Sequence, residues 1–238
     1  MRRSEFLMSW SAREHDREWP FDYFATDFTL DPGSTALLVI DIQAGSVVKD
    51  PDSELGRTHP EIVDYWNRRL RDQVLPNTRR LIEAFRRRGL RVVYTRNGAM
   101  TPSGDEMTGR LRSRGGQGPD RQYRGGPAYE IAAEVFPDDQ ELVIDKPISS
   151  AFTASPMDHA LRNMGVTSLV ITGILTDMCV LGTARVGAEL GYDAVICEDA
   201  CATLTQRAHD EALLMHARVF GRVSDTAGTL AEMDMGGA

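Results

Sequence analysis

The feature that most limits the fold of this chain is a series of short, unbroken apolar runs with helical segments between them. The runs are "ALLVID" (36–41), "LRVVYTR" (90–96), "ELVIDK" (141–146), "SLVITG" (168–173), "DAVICED" (193–199) and "GRVSD" (221–225). A strand covered on both faces reads as a continuous hydrophobic run rather than an alternating one. The segments between the runs carry helical spacing. They are 61–89, closed by Gly89; "AYEIAAEVF" (128–136); "SPMDHALRNMG" (155–165), with Ser155 as N-cap and Pro156 at the first helical position; 176–191; and 207–220. Strands alternating with helices predict parallel β-α-β units and a doubly wound α/β sheet.

The length of 238 residues, 42% of them hydrophobic, fits one large α/β domain (35–238) preceded by an aromatic-rich arm (1–34). The segment 97–127 breaks the pattern: it holds eight glycines and five arginines without periodicity. So long a loop in a compact domain predicts a substrate lid or a subunit contact, with a plain solvated loop as the alternative. A net charge of −8 argues against nucleic acid and anionic membrane surfaces as partners. No apolar run approaches the roughly 20 residues of a membrane span, and "MRRSEFLMSWSAREHD" has no apolar signal-peptide core. Cys179, Cys197 and Cys201 form no disulfide framework, so a reducing cytoplasm is the expected location.

In an open parallel sheet, ligands bind beyond the carboxyl ends of the strands. Asp41 closes one strand, Lys146 closes another, and Cys179 follows a third at the start of a helix. Singly, Asp41 reads as a turn cap, Lys146 as a surface cation and Cys179 as a small core residue. Together they place an acid, a base and a nucleophile on one edge. A helix N-terminus and a nearby lysine lower a thiol pKa. Asp41 is suited to take the thiol proton and pass it to a leaving amine. Backbone N–H groups in the turn before the helix are suited to an oxyanion. Such a set fits acyl transfer from a small amide, with no nucleic acid or membrane involved.

At "LLVIDIQ", "VIDKPISSAF" and "TGILTDMCV", with "YDAVICEDACAT" and "FGRVSD" further on, the chain resembles the isochorismatase-like cysteine hydrolase superfamily. It is most similar to the branches acting on ureido and carbamoyl compounds: biuret hydrolase, ureidoacrylate amidohydrolase and N-carbamoylsarcosine amidase. The resemblance implies a three-layer α/β/α sandwich around a six-stranded parallel, Rossmann-like sheet. It implies a catalytic triad of Asp41, Lys146 and Cys179. It also implies a non-proline cis peptide between Ile174 and Leu175, which turns the Leu175 N–H beside that of Cys179 as an oxyanion hole. The expected reaction is amide hydrolysis through a thioester with release of ammonia, by a homo-oligomer (dimer or tetramer) in the cytoplasm.

One branch of the family carries an Asp-x-His metal motif after the second strand. Here that place reads "TRNGAM", and the histidines are scattered singly, so no metal and no cofactor is expected. Gln43, Arg96, Phe152, Thr176 and His216 are candidate substrate contacts. Cys197 and Cys201 read as structural. Two alternatives stay open: an isochorismatase-type vinyl ether hydrolase with Asp41 as general acid, and a catalytically silent ligand-binding member.

Overall fold

In the computed structural model, residues 18–19, 28–109 and 122–235 are described. Six strands form a single sheet: β1 (Thr35–Ile40), β2 (Arg91–Asn97), β3 (Leu142–Lys146), β4 (Ser168–Ile174), β5 (Asp193–Ala202) and β6 (Gly221–Ser224). Their order is β3-β2-β1-β4-β5-β6, and every pairing is parallel. The chain therefore winds outward one way from β1 to β3 and the other way from β4 to β6. The reversal lies between β1 and β4, where an open α/β sheet presents its ligand crevice.

The helices are α1 (Glu54–Thr58), α2 (Pro60–Arg69), α3 (Leu75–Arg87), α4 (Met157–Asn163), α5 (Leu181–Glu189), α6 (Gln206–Val219) and α7 (Thr226–Met235). Alternation along the strands sends side chains to two separate cores. Leu37, Val39, Val92, Tyr94 and Val170 meet Trp66, Leu81, Phe85 and Met233 of α2, α3 and α7. Ala36, Leu38, Ile40, Val93 and Ile171 meet Met157, Leu161, Ala184 and Leu213 of α4, α5 and α6. This is the three-layer α/β/α sandwich. Within the span read as one helix over 61–89, a π-helical turn at Leu70–Val74 joins α2 to α3.

One sequence expectation needs correction, and one helix was not foreseen. The segment 128–136 is not a helix but two single 3₁₀ turns, Pro127–Tyr129 and Ala133–Val135. Its backbone is committed elsewhere: Ala132 N–H donates to Ile42 O at 2.9 Å, and Glu130 O accepts from Ala44 N at 2.8 Å. These bonds fasten it to the chain leaving β1. Conversely, α7 lacks a clear amphipathic pattern, yet it forms because its N-terminus is capped. Asp225 Oδ1 accepts from Gly228 N at 2.6 Å, and Asp199 Oδ1 accepts from Thr226 N at 2.8 Å.

Most of the arm read at 1–34 lies outside the described residues. Its end is anchored on α7, where Leu30 N–H and the Arg222 guanidinium both bond the buried Glu232 carboxylate, at 2.8 and 2.7 Å. Arg222 also lies over the Phe28 ring. The lid expected at 97–127 includes residues 110–121, which are likewise outside the described residues. Among the described residues, no helix is long and apolar enough to cross a membrane.

Candidate active site

The crevice opens where β4 approaches β1 closely. Gly173 has φ +117°, and a Cβ there would lie 2.0 Å from Ile40 O, so only glycine fits. Asp41 leaves β1 with φ +54°, a left-handed conformation that ends the strand. Lys146 ends β3 and is fully buried, with Asp41 only 4% exposed. The Lys146 Nζ donates to Asp41 Oδ2 at 2.7 Å and to Ile148 O at 3.1 Å. The Thr95 hydroxyl donates to Asp41 Oδ1 at 2.6 Å. Both carboxylate oxygens are thus held, which is what a buried charge requires.

Cys179 sits in a π-helical turn, Thr176–Val180, between β4 and α5. The turn closes on Leu175, whose carbonyl accepts from both Met178 N and Val180 N at 3.1 Å. The peptide bond between Ile174 and Leu175 is cis. Asn97 Nδ2 lies 3.9 Å from the Cys179 sulfur and donates to Ile148 O at 3.0 Å. The structure therefore brings Asp41, Lys146 and Cys179 to one edge, with Thr95 and Asn97 beside them.

Burial pushes the Cys179 thiol up to about 12, and the Asp41 carboxylate adds to this; Lys146 pulls the other way without winning. Burial works against the Lys146 charge too, yet Asp41 and Cys179 together hold its pKa above the ordinary lysine value. From the sequence alone, the lysine and the helix end are expected to lower the thiol pKa. The geometry gives the reason for the difference: the lysine charge is engaged by Asp41, and the thiol has a carboxylate as its other neighbour. In the free protein the thiol is protonated at neutral pH.

A consequence follows for alkylation. Cys179 is partly exposed, whereas Cys197 and Cys201 are buried. Iodoacetamide should label Cys179 first. Because its pKa is raised, the labelling rate should still be climbing above about pH 9 rather than levelling near neutrality. Peptide mapping across a pH series checks both statements. A plateau below about pH 8 would mean that the thiolate forms more readily than this geometry allows.

The remaining sequence candidates have different surroundings. In the β2–β3 register Asn97 pairs with Lys146 and Arg96 with Asp145. The two-residue period puts Thr95, Asn97 and Lys146 on one face and turns Arg96 to the other. There Arg96 donates to Asp145 at 2.8 Å and Glu130 at 2.7 Å and lies over the Tyr129 ring. Gln43 is buried, accepting from Asn97 N at 2.9 Å and donating to Tyr129 O at 2.7 Å. It holds the end of β2 that carries Asn97. Phe152 packs on Tyr192 with ring centroids 5.4 Å apart, in the core beneath α5.

Thr176 is buried, with its hydroxyl 2.8 Å from His209 Nδ1. His216 is not brought to this edge; its Nε2 lies 3.2 Å from Ala194 O, near the opposite end of β5. Thr95, Asn97 and His209 are polar residues near Asp41 and Cys179 that sequence reasoning missed. For Asn97 the signal was parity with Lys146. For His209 there was none, because its partners lie 33 and 140 residues away in the chain. Among the described residues, no group of three or more His, Cys, Asp or Glu is arranged to hold a metal ion.

A thiol, a carboxylate and a buried lysine thus stand together at the crevice of a doubly wound sheet. The family model for the isochorismatase domain matches residues 35–228, and the chain belongs to that family of hydrolases. It is 29% identical over 217 residues to the ureidoacrylate amidohydrolase RutB of Acinetobacter baylyi, covering 83% of this chain and 82% of that one. It superposes on N-carbamoylsarcosine amidase from Thermoplasma acidophilum with TM-score 0.63 and 25% identity, covering 81% of this chain and 96% of that one. A cysteine hydrolase from Pseudomonas syringae pv. phaseolicola shares the fold, with TM-score 0.73 at 22% identity over 89% and 97% of the two chains.

Proposed function

We propose that this protein is a cysteine-dependent amidohydrolase that cleaves the C–N bond of a small amide, of the ureido or carbamoyl class, and releases ammonia. The observation that carries the reading is the Asp41–Lys146 pair, 2.7 Å apart and buried against Cys179. The class of substrate is supported by the relatives, RutB and N-carbamoylsarcosine amidase.

The reaction runs in two halves. As the sulfur attacks the carbonyl carbon, Asp41 takes the thiol proton, so a protonated resting thiol is no obstacle. The Lys146 ammonium stabilises the negative charge that builds on sulfur as the proton leaves, and the electrons of the S–H bond form the new C–S bond. The carbonyl electrons move to oxygen, which the Leu175 and Cys179 N–H groups receive. The tetrahedral adduct collapses, the C–N bond breaks, and Asp41 returns its proton to the departing nitrogen. Ammonia leaves and a thioester remains. Water then adds to the thioester, giving its proton to Asp41, and the C–S bond breaks. The acid is released, and the sulfur regains a proton from Asp41. The sum is amide plus water giving acid plus ammonia.

The test is ammonia release across ureido acids, biuret-like compounds, aliphatic and aromatic amides, with isochorismate as a vinyl ether control. Preference for ureido compounds is expected, undiminished by exhaustive chelation. Turnover of isochorismate with no ammonia from any amide would reject the reading in favour of vinyl ether hydrolysis. Activity lost on chelation and restored by one metal would reject the metal-free mechanism.

A further inference from the structure

We propose that His209 is a positioning residue for the nucleophile turn: Arg69 holds its ring as the neutral Nδ1–H tautomer, and that N–H fixes Thr176, three residues before Cys179. The inference rests on reading Cys179 as the nucleophile, but no known partner of the triad is part of it.

Between Ile171 and Gly173, β4 advances two residues while β5 advances from Ile196 to Cys201, so β5 bulges outward. A bulge leaves carbonyl groups without ladder partners. Arg69, at the end of α2 and 8% exposed, covers two of them: Nε donates to Cys201 O at 2.9 Å and Nη2 to Glu198 O at 3.0 Å. The same Nη2 lies 2.8 Å from His209 Nε2. A guanidinium only donates, so Nε2 must be the acceptor and carries no proton. The proton of the neutral ring is then on Nδ1, 2.8 Å from the Thr176 hydroxyl oxygen. Both His209 and Thr176 are fully buried.

The relay joins the two helix layers across the edge of the sheet. Arg69 belongs to the α2 side, and His209 to α6 on the other side. Thr176 starts the turn that presents the Leu175 and Cys179 N–H groups. The tautomer cannot switch, because an Nε2 proton would face a cation. Burial and then Arg69 depress the ring's proton affinity to a pKa of about 3, so the ring stays neutral through the working range. Ionisable groups on the packed elements include Tyr65 on α2, Glu198 and Asp199 on β5, Cys179 and Asp177 in the turn, with Asp177 accepting from the Thr203 hydroxyl at 2.6 Å, and Asp210 beside His209 on α6. The Thr176 oxygen therefore receives the same donor at every pH at which the enzyme works.

The variants that separate this role from general packing are His209→Asn and His209→Gln. Asparagine keeps a donor near the Nδ1 position; glutamine reaches the Nε2 position and leaves Thr176 without one. With the best amide of the panel, His209→Asn should stay within about threefold of the parent kcat. His209→Gln should lose about tenfold in kcat with KM little changed. Thr176→Val should match His209→Gln, and combining the two should add little further loss. Nitrogen NMR of the full-length parent should show His209 as the Nδ1–H tautomer, unchanged between about pH 5 and 8.

Amide hydrogen exchange over Thr176–Val180 should quicken in His209→Gln and not in His209→Asn. An Nε2–H or cationic ring, or equal behaviour of the asparagine and glutamine variants, would overturn the proposal. Should the parent hydrolyse no amide, the nucleophile reading fails on that result, while the tautomer and exchange measurements still decide the positioning. If His209→Gln does not fold, the parent tautomer and Thr176→Val decide it.

Discussion

Replacing Cys179 with alanine should abolish ammonia release, by about 10⁴-fold or more, while leaving the thermal transition close to that of the parent. The side chain is small and partly exposed, so its removal leaves no large cavity. Cys179→Ser should recover little, because its hydroxyl is a far poorer nucleophile than sulfur at neutral pH. Steady-state ammonia assays with circular dichroism melts check both parts. Turnover by Cys179→Ala within about tenfold of the parent would remove the cysteine from the mechanism.

The second large effect separates charge from function at Asp41 and Lys146. If Asp41 takes and returns the proton as proposed, Asp41→Asn should cost about 10³-fold in kcat. It also leaves Lys146 as a buried cation without its counter-charge, 0% exposed. Lys146→Met does the reverse to Asp41, leaving a buried carboxylate with only the Thr95 bond at 2.6 Å. Each single change should cost about 3 kcal/mol of stability, since half of a buried pair is worse than none. The double variant Asp41→Asn with Lys146→Met should recover most of that stability and none of the activity. Denaturant titrations beside kinetic assays read both quantities. A double variant as unstable as the singles would show that the pair's role is packing rather than charge.

The sheet was legible because apolar runs covered on both faces are hard to mistake, and all six fall within a few residues of the observed strands. The grouping of Asp41, Lys146 and Cys179 followed from strand ends alone, once the strands are parallel. Harder to read was parity at the end of β2. Arg96 is the more conspicuous residue, but Asn97 shares the Lys146 face. Segment 128–136 has helical spacing, yet its amides serve the chain after β1, a tertiary demand that periodicity does not record. The capped start of α7 was written locally, as "DTAG", but the absence of an apolar stripe hid it. The Arg69–His209–Thr176 relay joins three distant parts of the chain, and no local pattern announces it.

The central claim is that Cys179 carries the acyl group. Rapid quenching of the parent with its best amide, followed by peptide mass mapping, tests this directly. The account predicts a transient addition to the Cys179 peptide, equal to the substrate mass less ammonia, that hydroxylamine removes. Full turnover with no such addition at any time, or the addition found on another residue, would contradict it.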